Sequence, residues 1–206
     1  MKITVVEKLA INKNQARLLD DLMRKYCSCV RYAYKRLKEG KTKDELKPKL
    51  QSVFKLDSRY IDTAIIEAKD LVEKYPDKNI VFGGRSLLVK LTRYARTDRE
   101  KYQRLKQIWR DRRTGRVKCI GKKGNLNLRI LIEEKGYFLR INIAKDQWIK
   151  ARFTPRNRYW NLVEETVKRG EPYTVLVKRK KGEYEMHVTV DYKKEQEDFF
   201  EKEAVK

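Results

Sequence analysis

The apolar residues of this chain change their repeat at Gly115, and that change divides what its two parts can become. Before Gly115 they recur every three or four residues, as on one face of a helix; after it they alternate, as on one face of a strand. Leu128, Ile130 and Ile132 are followed by Tyr137, Leu139, Ile141 and Ile143, with a third strand expected over 147–153. A short helix over 159–168, closed by Gly170, leads to Tyr173, Val175 and Val177 and then to Tyr184, Met186, Val188 and Val190. Glu134-Lys135-Gly136 and Lys180-Lys181-Gly182 suit three-residue hairpin loops with a left-handed glycine. One further β-branched, alternating stretch, Lys2–Leu9, lies far from these in sequence. Six strands and a short helix predict an α+β fold: a small antiparallel, OB-like β-barrel from residues 1–10 and 116–190, closed or nearly so. The helices of 11–115 then form an inserted all-helical domain, and 191–206 a charged tail or linker.

Four helix starts can be read from their caps. Asn12 with Gln15, and Thr42 with Glu45, are capping boxes; Asp57-Ser58 opens a third helix, and Thr97 with Glu100 another box after a helix beginning at Ser86. Pro48 makes the second helix short or kinked. The first helix carries Leu18, Leu22, Tyr26, Cys29, Val30, Ala33 and Leu37 as a core stripe, and the third carries Ile61, Ala64, Ile65, Ala68, Leu71 and Val72. Leu87, Leu88, Leu91 and Ala95, then Tyr102, Leu105, Ile108 and Trp109, continue the pattern.

Charge bears on function more than on fold. Residues 85–129 hold 16 Lys/Arg and three Asp/Glu, net +13 of a chain total of +23. Charge at that density repels itself, and its usual partner is a polyanion. Candidate nucleic-acid contacts here are Arg85, Lys90, Arg93, Arg96, Arg112, Arg113, Arg116, Lys118, Lys122, Lys123 and Asn125. Gly83 and Gly84 before a helix start make either an anion-binding concavity or an ordinary turn. Arg24 and Arg31 lie on the polar face of the first helix, which is either solvated or in contact with phosphate. Arg156, Arg158 and Tyr159 mix cation and aromatic in a loop, as a stacking site for nucleic acid requires.

Other classes fit poorly. Apolar residues make up 40%, enough for a core, but no stretch nears the roughly 18 consecutive ones of a membrane span, so no membrane partner is expected. Met1 to Val5 is too short and too quickly polar for a signal peptide, so a cytoplasmic setting is expected. Three cysteines without CxxC spacing and the single His187 give neither a disulfide framework nor a zinc site, so no metal or cofactor is expected. The acids come as surface-type neighbours, or as Glu183 and Glu185 on the polar side of a strand. No HExxH, GxSxG or phosphate loop appears. The chain is therefore read as a binding protein rather than an enzyme.

The leading strand, the Asn12/Gln15-capped helix, Asp57-Ser58-Arg59-Tyr60-Ile61-Asp62-Thr63-Ala64, Val81-Phe82-Gly83-Gly84-Arg85, Lys123-Gly124-Asn125 and the hairpin from Tyr173 to Val190 together resemble a known group. They are similar to the N-terminal half of TnpB-type transposon-encoded RNA-guided endonucleases, relatives of compact type V CRISPR effectors. The resemblance implies a wedge-type split barrel with an inserted recognition lobe that holds guide RNA and reads a motif beside the DNA target. By that likeness Arg59 and Thr63 would read the motif, while Arg85, Lys122, Lys123 and Asn125 would meet the RNA or duplex backbone. The family's RuvC-like nuclease begins with a Gly-Ile/Val-Asp-x-Gly segment, and Asp191 is not embedded in one. Implied partners are a guide-type RNA, target DNA and a separate or removed nuclease half. The competing class is a stand-alone protein that binds structured RNA or assembles a ribonucleoprotein.

Overall fold

The computed structural model of the chain describes residues 1–191. The expected tail over 191–206 falls outside them, except for Asp191, which ends the last strand. In chain order the elements are β1 (Lys2–Leu9), α1 (Lys13–Lys38), α2 (Lys43–Phe54), α3 (Ser58–Lys74), α4 (Arg85–Tyr94), α5 (Arg99–Thr114), β2 (Arg116–Ile120), β3 (Leu128–Glu133), β4 (Gly136–Ala144), β5 (Gln147–Phe153), α6 (Trp160–Lys168), β6 (Thr174–Lys180) and β7 (Glu183–Asp191). The α+β class is thus present, with six helices and seven strands among the described residues. None of these helices is long and apolar enough to cross a membrane.

Caps set most helix starts as their chemistry dictates. Two of the three expected boxes form: Gln15 N donates to Asn12 Oδ1 and Asn12 N to Gln15 Oε1, while Thr42 and Glu45 exchange the same pair. Asp57 accepts from Arg59 N at the start of α3. At α5 the cap is Asp98, which accepts from Lys101 N, rather than Thr97. A carboxylate is the better acceptor, and Thr97 Oγ1 donates back to Arg93 O instead. α2 keeps Pro48 in its interior over a 12-residue run.

Strand pairing departs from the closed barrel. The strands form one sheet in the order β1-β7-β6-β2 and a second in the order β3-β4-β5, all antiparallel. The distant strand β1 pairs with β7 from Lys2↔Asp191 to Leu9↔Tyr184, as its isolation in sequence required. A single bridge, Ala10↔Arg152, ties β1 to β5. Between β2 and β3 no ladder forms. The loop 121–127 lies there, and side chains span the seam: Asn125 Nδ2 donates to Cys119 O and Tyr173 O, and Tyr173 Oη accepts from Ile130 N.

One hydrophobic core runs through both sheets and α1–α3, from Val5 and Leu19 to Tyr60, Ile141 and Val188. The cysteines Cys27, Cys29 and Cys119 are buried in it and free. The α1 stripe holds at Leu22, Tyr26, Cys29, Val30 and Ala33, but Leu18 is 39% exposed and Leu19 and Met23 are buried beside it. The α4–α5 stripe is much thinner than expected. Leu91 is its one buried residue, α5 buries none, and Leu88 and Ile108 are exposed. α4 packs on α5, which in turn meets α1, β2 and β6.

Candidate nucleic-acid interface

The turn before α4 shows how the basic hairpin is mounted. Gly83 and Gly84 both have φ 99°, and Gly84 N donates to Val81 O, a tight turn that delivers Gly84 as the N-cap. A Cβ on Gly83 would lie 2.5 Å from Trp109 Nε1, so glycine here lets the turn press against α5. At the other end Arg31 donates to Arg113 O at 2.8 Å and to Ser28 Oγ. Burial is the main influence lowering the Arg31 pKa, and Arg113 and Arg116 act in the same sense. Arg31 is therefore a strut between α1 and α5, with a donor on each terminal nitrogen spent on the protein.

Along the hairpin, Arg85, Lys90, Arg93, Arg96 and Arg112 are exposed, and Arg113 is half-buried over the Trp109 ring at 4.7 Å. Of the 16 cations in 85–129, only Arg104 and Arg116 pair with carboxylates among the described residues. The Tyr94 phenol, with Lys101 Nζ 4.2 Å from its ring centroid, is pulled below its ordinary value, mainly by hydrogen bonding to Lys101.

Arg116 differs from its neighbours. Its guanidinium is sunk against Glu67, which also accepts from Tyr26 Oη, and against Arg112 O. Burial opposes its charge, but Glu67 leaves its pKa raised. It fastens β2 to α3 and leaves only 24% of its side chain exposed. Beside it, α5 and the β6–β7 hairpin enclose a cleft of about 800 Å³ whose walls include Arg112, Lys178, Lys180 and Lys181. Asp111 and Asp20 are taken by Arg179, the latter also by Tyr184 Oη. The sequence reading passed over Lys178, Lys180 and Lys181 because they sit at a hairpin turn. Their signal was a Lys-Arg-Lys-Lys run on a strand end, which topology carries to α5.

A second groove, of about 210 Å³, brings Arg59 together with Lys122 and Lys123 around exposed Ile66 and Leu126. This convergence joins two segments some sixty residues apart in sequence. Gly121 makes the loop possible, since a Cβ there would lie 2.0 Å from Gly124 O. Two other expected contacts in this region are inside the protein. Thr63 is 2% exposed; its Oγ1 donates to Arg59 O and accepts from Ile120 N. It lies on the buried face of α3 with Tyr60, Ala64 and Ala68. Asn125, also 2% exposed, spends its amide on the seam between β2 and β3.

Lys118 is half-buried on β2, and Arg24 is exposed beside Asp21 on its own helix. The loop carrying Arg156, Arg158 and Tyr159 is anchored by Glu7, which is 4% exposed and accepts from both Arg156 N and Asn157 N. Its side chains stay outside, with Arg158 stacked 4.6 Å from the Tyr159 centroid. Among the described residues, no cluster of three or more His, Cys, Asp or Glu is placed to hold a metal ion.

Fold and surface together define a basic α+β protein in which two antiparallel sheets support helices and a cationic helical hairpin. Residues 2–199 match the family model described as the SSO2105 N-terminal domain, and the chain belongs to that family. No curated protein matches it.

Proposed function

We propose that the chain is the nucleic-acid-binding, non-catalytic portion of an RNA-guided DNA-targeting protein. In this reading it holds a structured guide RNA along the α4–α5 hairpin and contacts target-adjacent duplex at the Arg59/Lys122/Lys123 groove. The observation that carries it is the hairpin's charge: ten of the eleven cations in 85–114 lack a carboxylate partner among the described residues. Uncompensated cations on a thinly packed element cost the folded state repulsion, and a polyanion offsets that cost. The two sheets, joined at Ala10↔Arg152 and laced by Asn125 and Tyr173 at the opposite seam, serve as the split, wedge-like barrel of the resemblance to TnpB-type proteins. The nuclease half belongs to a partner or to another segment, and the setting is the prokaryotic cytoplasm.

RNA that co-purifies with the chain tests this reading. Sequencing should return a transposon-end or CRISPR-type guide; ribosomal or transfer RNA would instead identify a stand-alone RNA-binding or assembly protein. Affinity for the recovered RNA should fall steeply with salt, with a log–log slope of about −5 for six phosphate contacts. A flat salt dependence removes the electrostatic premise.

A further inference from the structure

The outer face of the β3-β4-β5 sheet has a composition that its fold does not require. The inner face is core, with Ile130, Leu139, Ile141, Ile149 and Ala151 buried. On the outer face, register sets Arg129 opposite Arg140 and Arg140 opposite Lys150, a row of three cations across three strands. Like charges directly opposed weaken a sheet. Glu133 relieves only the Lys150 end, at 2.6 Å. The row is flanked by rings on the same face. Arg140 lies 4.0 Å from the centroid of Trp148, which is 36% exposed, and Lys150 Nζ lies 4.1 Å from that of Phe138. Phe138 and the Asn142↔Trp148 pair are four β4 residues apart, roughly 13 Å at strand rise, with the cations between them. Asn142, 9% exposed and opposite Trp148, has its Oδ1 buried without a hydrogen-bond partner.

We propose that this face binds single-stranded RNA: bases stack on Trp148 and Phe138 while Arg129, Arg140 and Lys150 hold the intervening phosphates. The inference rests on the nucleic-acid reading above and adds a second, single-strand-specific surface to it. Aromatic rings alternating with cations on an open sheet give sequence-tolerant stacking plus charge. A duplex keeps its bases paired and offers only phosphates to such a face. RNA is the occupant because the basic hairpin of the same chain is read above as holding RNA, and a ribose 2′-hydroxyl offers a polar contact that DNA lacks.

The test uses the full chain, with fluorescence anisotropy on oligouridylate and oligothymidylate of about a dozen nucleotides and on a duplex RNA. Trp148→Ala should weaken oligouridylate binding roughly 5- to 150-fold, the range of one lost base stack. Duplex binding should be unchanged, and Trp148→Phe should recover most of the single-strand affinity. Tryptophan emission should be quenched by oligouridylate in the wild type, and most of that quench lost in Trp148→Phe. Unchanged oligouridylate affinity in Trp148→Ala, with duplex still bound, would overturn this site and leave the basic hairpin's role standing. Oligothymidylate bound as tightly as oligouridylate would overturn the RNA assignment. A wild-type chain that binds none of the three would overturn both readings.

Discussion

The body of the molecule, α1–α3 with the two sheets, and the α4–α5 hairpin draw on the same residue types and put them to opposite uses. In the body, cations near the core are neutralised: Arg116 by Glu67, Arg179 by Asp20 and Asp111, Lys47 by Asp62 at 2.8 Å. Tyr26 and Tyr60 are dry, and burial holds their phenols well above the ordinary range. In the hairpin, Leu91 alone is buried, its cations are nearly all without carboxylates, and the Tyr94 phenol is lowered. A buried charge must be paired because its desolvation is otherwise uncompensated, whereas an exposed one can wait for a ligand. Basic composition is common to both regions, and pairing is what separates scaffold from candidate interface.

The comparison breaks most readily on packing. Ile141→Ala in the body should cost about 2–5 kcal/mol in urea unfolding, the usual range for a buried aliphatic. Ile108→Ala on the hairpin, where the side chain is 43% exposed, should cost under about 1 kcal/mol. Equal costs would mean the hairpin is as tightly built as the body. Next in size are two Arg–Glu pairs of the same chemistry. Glu67→Gln removes the charge that pairs with Arg116 and leaves one acceptor for two donors, Arg116 and Tyr26 Oη, for a loss of about 3 kcal/mol. Glu100→Gln breaks an exposed pair with Arg104, and its effect should stay within about 0.5 kcal/mol and vanish with salt.

Hairpin cations should matter to binding and not to folding. Arg93→Glu with Arg96→Glu should lower affinity for structured RNA roughly 10- to 100-fold at low salt and make its salt dependence shallower. The urea midpoint should hold or rise slightly as repulsion is relieved. A fall in that midpoint would show that these arginines are structural, as Arg31 and Arg116 proved to be.

What could be read in advance was what depends on neighbours in sequence. The Asn12/Gln15 and Thr42/Glu45 caps and the alternation of β3, β4, β6 and β7 are local and formed where expected. The two Lys-Gly hairpins formed too, but with two-residue loops, Glu134-Lys135 and Lys181-Gly182, instead of the three-residue loops expected. Errors arose where a distant partner decides. Arg116 looked like one more cation in a basic run until Glu67, 49 residues away, placed it inside. Thr63 and Asn125 carry polar labels, yet the one closes on Ile120 N and the other on Cys119 O. β2 was missed because its five residues are too few to show a period, and it is the pairing with β6 that defines it. The α4–α5 stripe failed for another reason: periodicity reports an amphipathic helix but not whether anything covers the apolar side.

Alkaline titration gives the smallest and most selective contrast. Burial pushes the Cys29 and Cys119 thiols up to about 12, from an ordinary value near 9. The folded state thus keeps them protonated where the unfolded chain loses those protons. Their contribution is intact below about pH 9, and stability is lost as pH rises from there towards about 12. Cys29→Ala should flatten part of that decline. Tyr94 has the opposite sign. Hydrogen bonding to Lys101 favours its phenolate, so it should ionise first among the tyrosines, below pH 10 and before any unfolding. The phenolate absorbance rise should begin in this range in the wild type and start later in Tyr94→Phe, while far-ultraviolet ellipticity stays constant. If the early step survives Tyr94→Phe, or coincides with loss of ellipticity, the hairpin's local electrostatics are not independent of the body, and the division between the two regions does not hold.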